Sequence, residues 1–298
     1  MSPLRTILVG VDLSDASAAA LREGARLAEQ HGASLHVIHV VERLVLGYLA
    51  NVLGRTTNEL QRTASARARE MFWPSAELGD VPEDTRVNVL FGDAGERLVA
   101  AATELEADLL VLGTFGAGGP GRGAGTFTTW CLRRSPCSVL LVDPERQPGP
   151  YQSIVAATDL SAAGSLAVPE AVELAVRDRA SLSVLHVFQG PWYQVGRILF
   201  DDEPSPEFKA EYEAFLKAEV IGLLEEHRPR LGGVHTRVDT VEARKSGSAI
   251  AQYVGEHEAD LLVMGAHKAG KLRYAVLGST KERVLRELTL SLLSVRVR

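Results

Sequence analysis

Thr6-Ile-Leu-Val-Gly-Val11 is an unbroken apolar run closed by Asp12, the pattern of a strand buried on both faces of a parallel sheet. Ser14 and Asp15 then offer caps for a helix running to about Gln30, with Leu21, Ala25 and Ala28 on its inner face and Gly32 as its stop. Apolar runs and amphipathic stretches continue to alternate: strand Ser34 to Val41, helix about Thr56 to Ala76, strand Thr85 to Leu90, helix Ala94 to Glu106, strand Asp108 to Leu112. A glycine-rich loop separates these from a helix over Phe127 to Arg134 and a strand over Ser138 to Val142. Beyond Pro150 the series recurs, with strands Ile154 to Ala157, Leu182 to Phe188, His235 to Val241, Asp260 to Met264 and Leu290 to Val297. Its helices are expected at about Val168 to Arg177, Pro206 to Glu226, Gly247 to His257 and Thr280 to Glu287. An interior proline costs a helix about 3 kcal/mol, so Pro169 is expected in a first turn. Strand–helix alternation predicts a parallel sheet with right-handed crossovers and helices on both faces.

The recurrence is written in the residues. Ala107-Asp-Leu-Leu-Val-Leu-Gly-Thr114 returns as Ala259-Asp-Leu-Leu-Val-Met-Gly-Ala266, with six of eight positions identical at an offset of 152. Ser34-Leu-His-Val-Ile-His-Val40 pairs with Ser181-Leu-Ser-Val-Leu-His-Val187, and Asp12-Leu-Ser14 with Asp159-Leu-Ser161, both at an offset of 147. So long a period excludes a solenoid and indicates duplicated domains. The expected fold is α/β: two tandem open parallel-sheet domains of the Rossmann-like, nucleotide-binding type, residues 1–145 and 151–298. Asp143 to Pro150, rich in proline and charge, reads as the linker.

Composition narrows the classes. At 298 residues and 46% hydrophobic content, each half can bury its own core. A formal charge of −6 without a long basic run argues against nucleic acid or anionic membrane as general partners. The two cysteines, Cys131 and Cys137, lie outside any zinc-like pattern and are expected to be buried or idle thiols. No apolar stretch approaches the roughly 18 residues of a membrane span, and Asp12 and Asp15 interrupt any signal-peptide layout.

Ligands of open parallel sheets bind outside the carboxyl ends of the strands, where strand order reverses. Asp12 and Asp159 follow the first strand of each half, Gly92-Asp93 the third of the first half, and Gly113 and Gly265 the fourth. The first half then reads Gly113-Thr-Phe-Gly116, eight residues, Gly125-Thr126; the second reads Gly265-Ala-His-Lys268, nine residues, Gly278-Ser279. Glycines let backbone N–H groups approach a phosphate, and a Gly-Ser/Thr pair opens a helix whose N-terminus favours an anion. Phosphate binding is therefore expected at these loops.

At this point the chain resembles the universal stress protein family in its tandem two-domain form. The resemblance rests on Val11-Asp12-Leu-Ser14, on His39-Val40, on Ala107-Asp-Leu-Leu-Val-Leu-Gly113 and on Arg134-Ser-Pro-Cys137 before the last strand of the first half. It implies a cytoplasmic, stress-associated regulator that binds ATP, with Mg2+ as a candidate counterion, and has a dimer interface on the last strand. The halves are then expected to pair within the chain through Ser138 to Val142 and Leu292 to Val297, with a homodimer and a protein partner as further expectations. By the same resemblance Asp12 lies near adenine or ribose and Val40 against the base, while Gly113, Gly116, Gly125 and Thr126 hold phosphates. Asp159, Val187, Gly265, Gly278 and Ser279 hold those stations in the second half, and Arg122 reaches toward a terminal phosphate.

ATP-binding members carry Gly-x-x-Gly, nine residues, then Gly-Ser/Thr, and the halves depart from this differently. The first half keeps every glycine but its loop is one residue short; the second keeps the spacing but has Lys268 for the second glycine and Arg244-Lys245 after its third strand. Lys268, His267 and Arg244 offer charge to a phosphate as readily as a Cβ there offers obstruction. The first half is the favoured ATP site.

Structural readings stand beside these. Asp12 and Asp159 fit a helix cap or turn as well as a ligand contact. His36 and His39 read as sheet histidines, and Trp130, Trp192 and Tyr193 as packing residues. Phe208, Tyr212, Phe215 and Leu216 form a stripe on an amphipathic surface helix. Ser14 and Ser161 lack the glycines of a nucleophile elbow, and no acid/base constellation adjoins the loops, which disfavours a hydrolase or an adenylating or redox enzyme. Two functions remain: an ATP-binding stress regulator with little or no turnover, and a degenerate scaffold of the same family that no longer binds nucleotide and acts through protein contacts.

Overall fold

A computed structural model describes residues 4–72, 85–114, 126–193, 204–266, 280, 283–285 and 290–296. The chain divides into two compact units that meet between Gly149 and Pro150. In the first unit the order is β1 (Thr6–Val11), α1 (Asp15–His31), β2 (Ser34–Val41), α2 (Arg43–Leu53) and α3 (Thr57–Phe72). Strand β3 (Arg86–Phe91), α4 (Ala94–Glu104), β4 (Leu109–Gly113), α5 (Thr126–Arg134) and β5 (Ser138–Val142) complete it. The strands line up as β3-β2-β1-β4-β5, all parallel. The second unit repeats this with β6 (Ser153–Thr158), α6 (Ala167–Asp178), β7 (Ser181–Phe188), α7 (Pro206–Glu225) and the short α8 (Arg228–Leu231). Strand β8 (Thr236–Glu242), α9 (Ser246–Glu256), β9 (Leu261–Gly265) and β10 (Ser291–Val295) follow, in the spatial order β8-β7-β6-β9-β10.

Side-chain alternation fixes the layers. A Cβ added to Gly24 of α1 would meet Val9, Leu35 and Val111, whereas one added to Gly10 would meet Leu98 of α4. Val9 and Gly10 are consecutive on β1 and point to opposite faces, so α1 and α4 cover opposite sides of the sheet. The central strands β1, β4, β6 and β9 are accordingly buried almost throughout, while the edge strands β3 and β8 are half-buried.

Local chemistry explains the boundaries. Ser14 caps α1 by accepting from the Ser17 amide, and Gly32 ends it in the left-handed region at φ 62°. At the matching position of α6 stands Arg179, also left-handed at φ 55°. Pro169 occupies the third position of α6, among the N–H groups that have no partner within a helix. Asp93 and Ser205 cap α4 and α7, the latter with a proline in its first turn. The aspartate of the repeated Ala-Asp-Leu-Leu-Val segment has a structural duty in both halves. Asp108 accepts from the amides of Arg5 and Thr6, and Asp260 from those of Gln152 and Ser153, tying the fourth strand to the start of the first.

Four sequence expectations change. The apolar helix α2 has no counterpart in the reading above, and neither has α8. On α7 the inward stripe is Tyr212, Leu216, Val220 and Leu224, spaced by four, and Phe215 lies 60% exposed outside it. Tyr193 is exposed rather than packed, whereas Trp192 is buried and Trp130 lies directly over Gly95. The helix expected over Thr280 to Glu287 falls mostly outside the described residues.

Candidate functional site

In each unit the order of strands reverses between its first and fourth members, β1 and β4 or β6 and β9, so the crevice expected to take a ligand opens at their carboxyl ends. Asp12 and Gly113 flank it in the first unit, Asp159 and Gly265 in the second.

The exits of β1 and β6 are built alike. One carboxylate oxygen of Asp12 accepts from the Ser14 amide at 3.1 Å and the Ser14 hydroxyl at 2.5 Å; Asp159 accepts from Ser161 in the same way at 3.0 and 2.5 Å. Ser14 and Ser161 in turn accept from the amides of Ser17 and Gly164, which start the following helical turns. Between aspartate and serine the chain passes through the left-handed region at a leucine, φ 68° at Leu13 and 61° at Leu160, a costly conformation for a branched side chain. Both aspartates thus hold the turn as the capping interpretation expected, and both stand at the crevice.

Second-strand histidines brace the same exits. His39 bonds through Nδ1 to the carbonyl of Val11 at 2.8 Å, and His186 to that of Thr158 at 2.9 Å. A carbonyl only accepts, so Nδ1 carries the hydrogen in each ring. Val40 and Val187 follow, both half-buried at the crevice. His36 is buried deeper, and burial together with the Arg86 charge holds it below the usual histidine range.

Gly113 and Gly265 are required by packing. A Cβ at Gly113 would lie 2.7 Å from the carbonyl carbon and oxygen of Ala16, and one at Gly265 would overlap the carbonyl oxygen of Ala163 at 1.8 Å. The fourth strand therefore ends flush against the first helical turn in both units. The matched Ala16 and Ala163, at the offset of 147, are the sequence signal of this contact.

The units differ toward the third strand. Gly92 donates to the Val41 carbonyl with φ at 148°, open to glycine alone; the residue that donates to the equivalent Phe188 carbonyl is Ala243, one position before Arg244. Arg244 lies 4.5 Å over the Tyr193 ring, a contact that competes with any role at a phosphate. Leu13 is 53% exposed, but Leu160 packs on a cluster of Phe188, Trp192 and Leu216, in which Trp192 donates to Glu242 at 3.0 Å. Beyond the fourth strands, Thr126 opens α5, while Gly116, Arg122, Gly125, His267, Lys268, Gly278 and Ser279 lie outside the described residues.

Burial pushes the Cys131 thiol up to about 12, aided by the Asp93 charge, which keeps it protonated and unreactive. Among the described residues no group of three metal-ligating side chains comes together, and no helix is long and apolar enough to cross a membrane.

Comparison with known proteins places these features in a wider set. The sequence model of the universal stress protein family matches residues 3–143 and again 150–296. A universal stress protein of Mycolicibacterium smegmatis is 29% identical over 299 residues, covering 98% of this chain and 97% of its own. One from Mycobacterium tuberculosis is 27% identical over 285 residues, covering 93% and 92%. Among solved structures, a universal stress protein from Archaeoglobus fulgidus superposes with a TM-score of 0.66 at 17% identity, covering 98% of each chain, a likeness of fold.

Proposed function

The chain belongs to the universal stress protein family in its tandem two-domain form, and from that membership we propose a stress-response regulator that binds ATP in the first domain with little or no turnover. The observation that carries this is the meeting of Asp12, half-buried Val40 and side-chain-free Gly113 at the point where strand order reverses. In this reading Asp12 and Val40 hold the nucleoside, and Gly113 with the loop leading to Thr126 holds the phosphates, with Mg2+ as their counterion. The open Leu13 and the glycine conformation at Gly92 favour the first domain, because the second has Leu160 under its ring cluster and Ala243 in place of the glycine. The stations at Asp159, Val187 and Gly265 then serve chiefly to fold their own domain.

Titration calorimetry with ATP and Mg2+ tests the reading. Saturable binding is expected, weakened about tenfold in Asp12→Asn through loss of a charged acceptor. The thermal midpoint of Asp12→Asn should stay close to that of the parent, because its amide oxygen still accepts from Ser14. A folded protein that takes up no ATP at millimolar concentration sinks the proposal. That outcome supports the second reading, a scaffold acting through protein contacts, which is favoured by the exposed apolar residues Tyr48, Leu49, Val52 and Leu53 of α2.

A further inference from the structure

We propose that the first domain carries a second binding site, a basic cavity between α1 and the residues after β5 that takes a small oxyanion, a phosphate or carboxylate group. The cavity measures about 350 Å³ and is lined by Arg22, Glu23, Arg26, Glu29, Arg146 and Gly149, among others. Its charged lining is three guanidinium groups against two carboxylates. The volume falls at the small end of ligand pockets.

The inner wall is an ordered ion cluster. Glu23, 3% exposed, accepts from Arg26 Nε at 3.0 Å and Nη2 at 2.7 Å, and from Arg146 Nη1 at 3.2 Å. Arg146 also donates to the Gly149 carbonyl, which holds the end of the linker against the cluster. Glu23 is thereby committed, and the guanidinium planes are fixed before any ligand arrives. Arg22 is different: half-buried, it makes no hydrogen bond or ion pair among the described residues. A partly desolvated guanidinium beside two oriented ones matches the planar, bidentate acceptor geometry of a carboxylate or phosphate. Glu29, exposed and acidic, weighs against large polyanions such as a triphosphate.

The duplication supplies an internal control. At the offset of 147 that relates α1 to α6, Glu23 corresponds to Glu170, but Arg22 corresponds to Pro169 and Arg26 to Glu173. A requirement of the shared fold would act on both halves. Arg22 and Arg26 belong to the first domain alone, and they lie about two turns or more along α1 from the Asp12 turn, away from the crevice.

Calorimetric titration of the full chain with inorganic phosphate, and separately with succinate, at constant ionic strength is the test. Saturable one-site binding by at least one probe is expected, undiminished when ATP is present at saturation. Arg22→Ala should weaken it at least about tenfold, the worth of one charge-assisted contact. Arg22→Gln, which retains most of the aliphatic stem, should show the same loss, and Glu29→Gln none. All three variants should keep the parental melting curve and ATP response. The proposal is overturned if neither probe saturates at millimolar concentration, if ATP displaces the bound probe, or if binding survives unchanged in Arg22→Gln.

Discussion

Gly113 owes its identity to Ala16. The two residues are far apart in sequence, yet the strand exit and the helix start approach so closely that an added methyl would press on backbone, which yields less readily than a side chain. Gly113→Ala should therefore destabilise the protein by about 1–3 kcal/mol, seen as a lower urea midpoint at unchanged slope. Gly47 is the control: inside α2, with nothing within 4 Å of its would-be Cβ, Gly47→Ala should be neutral or stabilising by up to about 1 kcal/mol. Equal midpoints for Gly113→Ala and the parent would remove the packing explanation. Sequence spacing assigned this glycine to a phosphate because it sees only the strand end and the loop. The contact that demands it is tertiary, and nothing within ten residues of Gly113 announces it.

Elements were legible where burial imposed a period. Thr6–Val11, Ser34–Val41 and Ser138–Val142 appear at the expected bounds, since a strand enclosed on both faces is apolar to its last residue and polar immediately after. Helix α2 differs: it packs on α3 and leaves Tyr48, 72% exposed, and its apolar neighbours toward solvent. Its apolar residues Tyr48, Leu49, Val52 and Leu53 share a side that faces solvent and not the core, so burial did not mark the helix. On α7 Tyr212 and Leu216 lie on the inward stripe as expected, and Phe215 stands outside it. Leu216→Ala should cost about 2–5 kcal/mol and Phe215→Ala no more than about 0.5 kcal/mol in chemical denaturation, and the reverse order would reinstate Phe215 as a core residue.

At the scale of the whole chain, duplication preserved the frame and let the surfaces diverge. The Asp-Leu-Ser turns, the histidine braces and the Asp108 and Asp260 ties are common to both units, whereas Gly92, the ring cluster of the second domain and the arginines of α1 are each confined to one. If only the first crevice keeps a nucleotide-competent form, calorimetry should find one ATP per chain; two equivalent sites would show that the divergence is without effect. The offset between matching residues exposed the shared frame from sequence, but the unlike features arise from contacts between segments that no repeat records. The abutment of Gly113 on Ala16, mirrored by Gly265 on Ala163, has a mechanical corollary. Helix α1 and the end of β4 are fitted backbone to backbone at this contact, so the floor of the crevice is built as an anvil and not as a hinge.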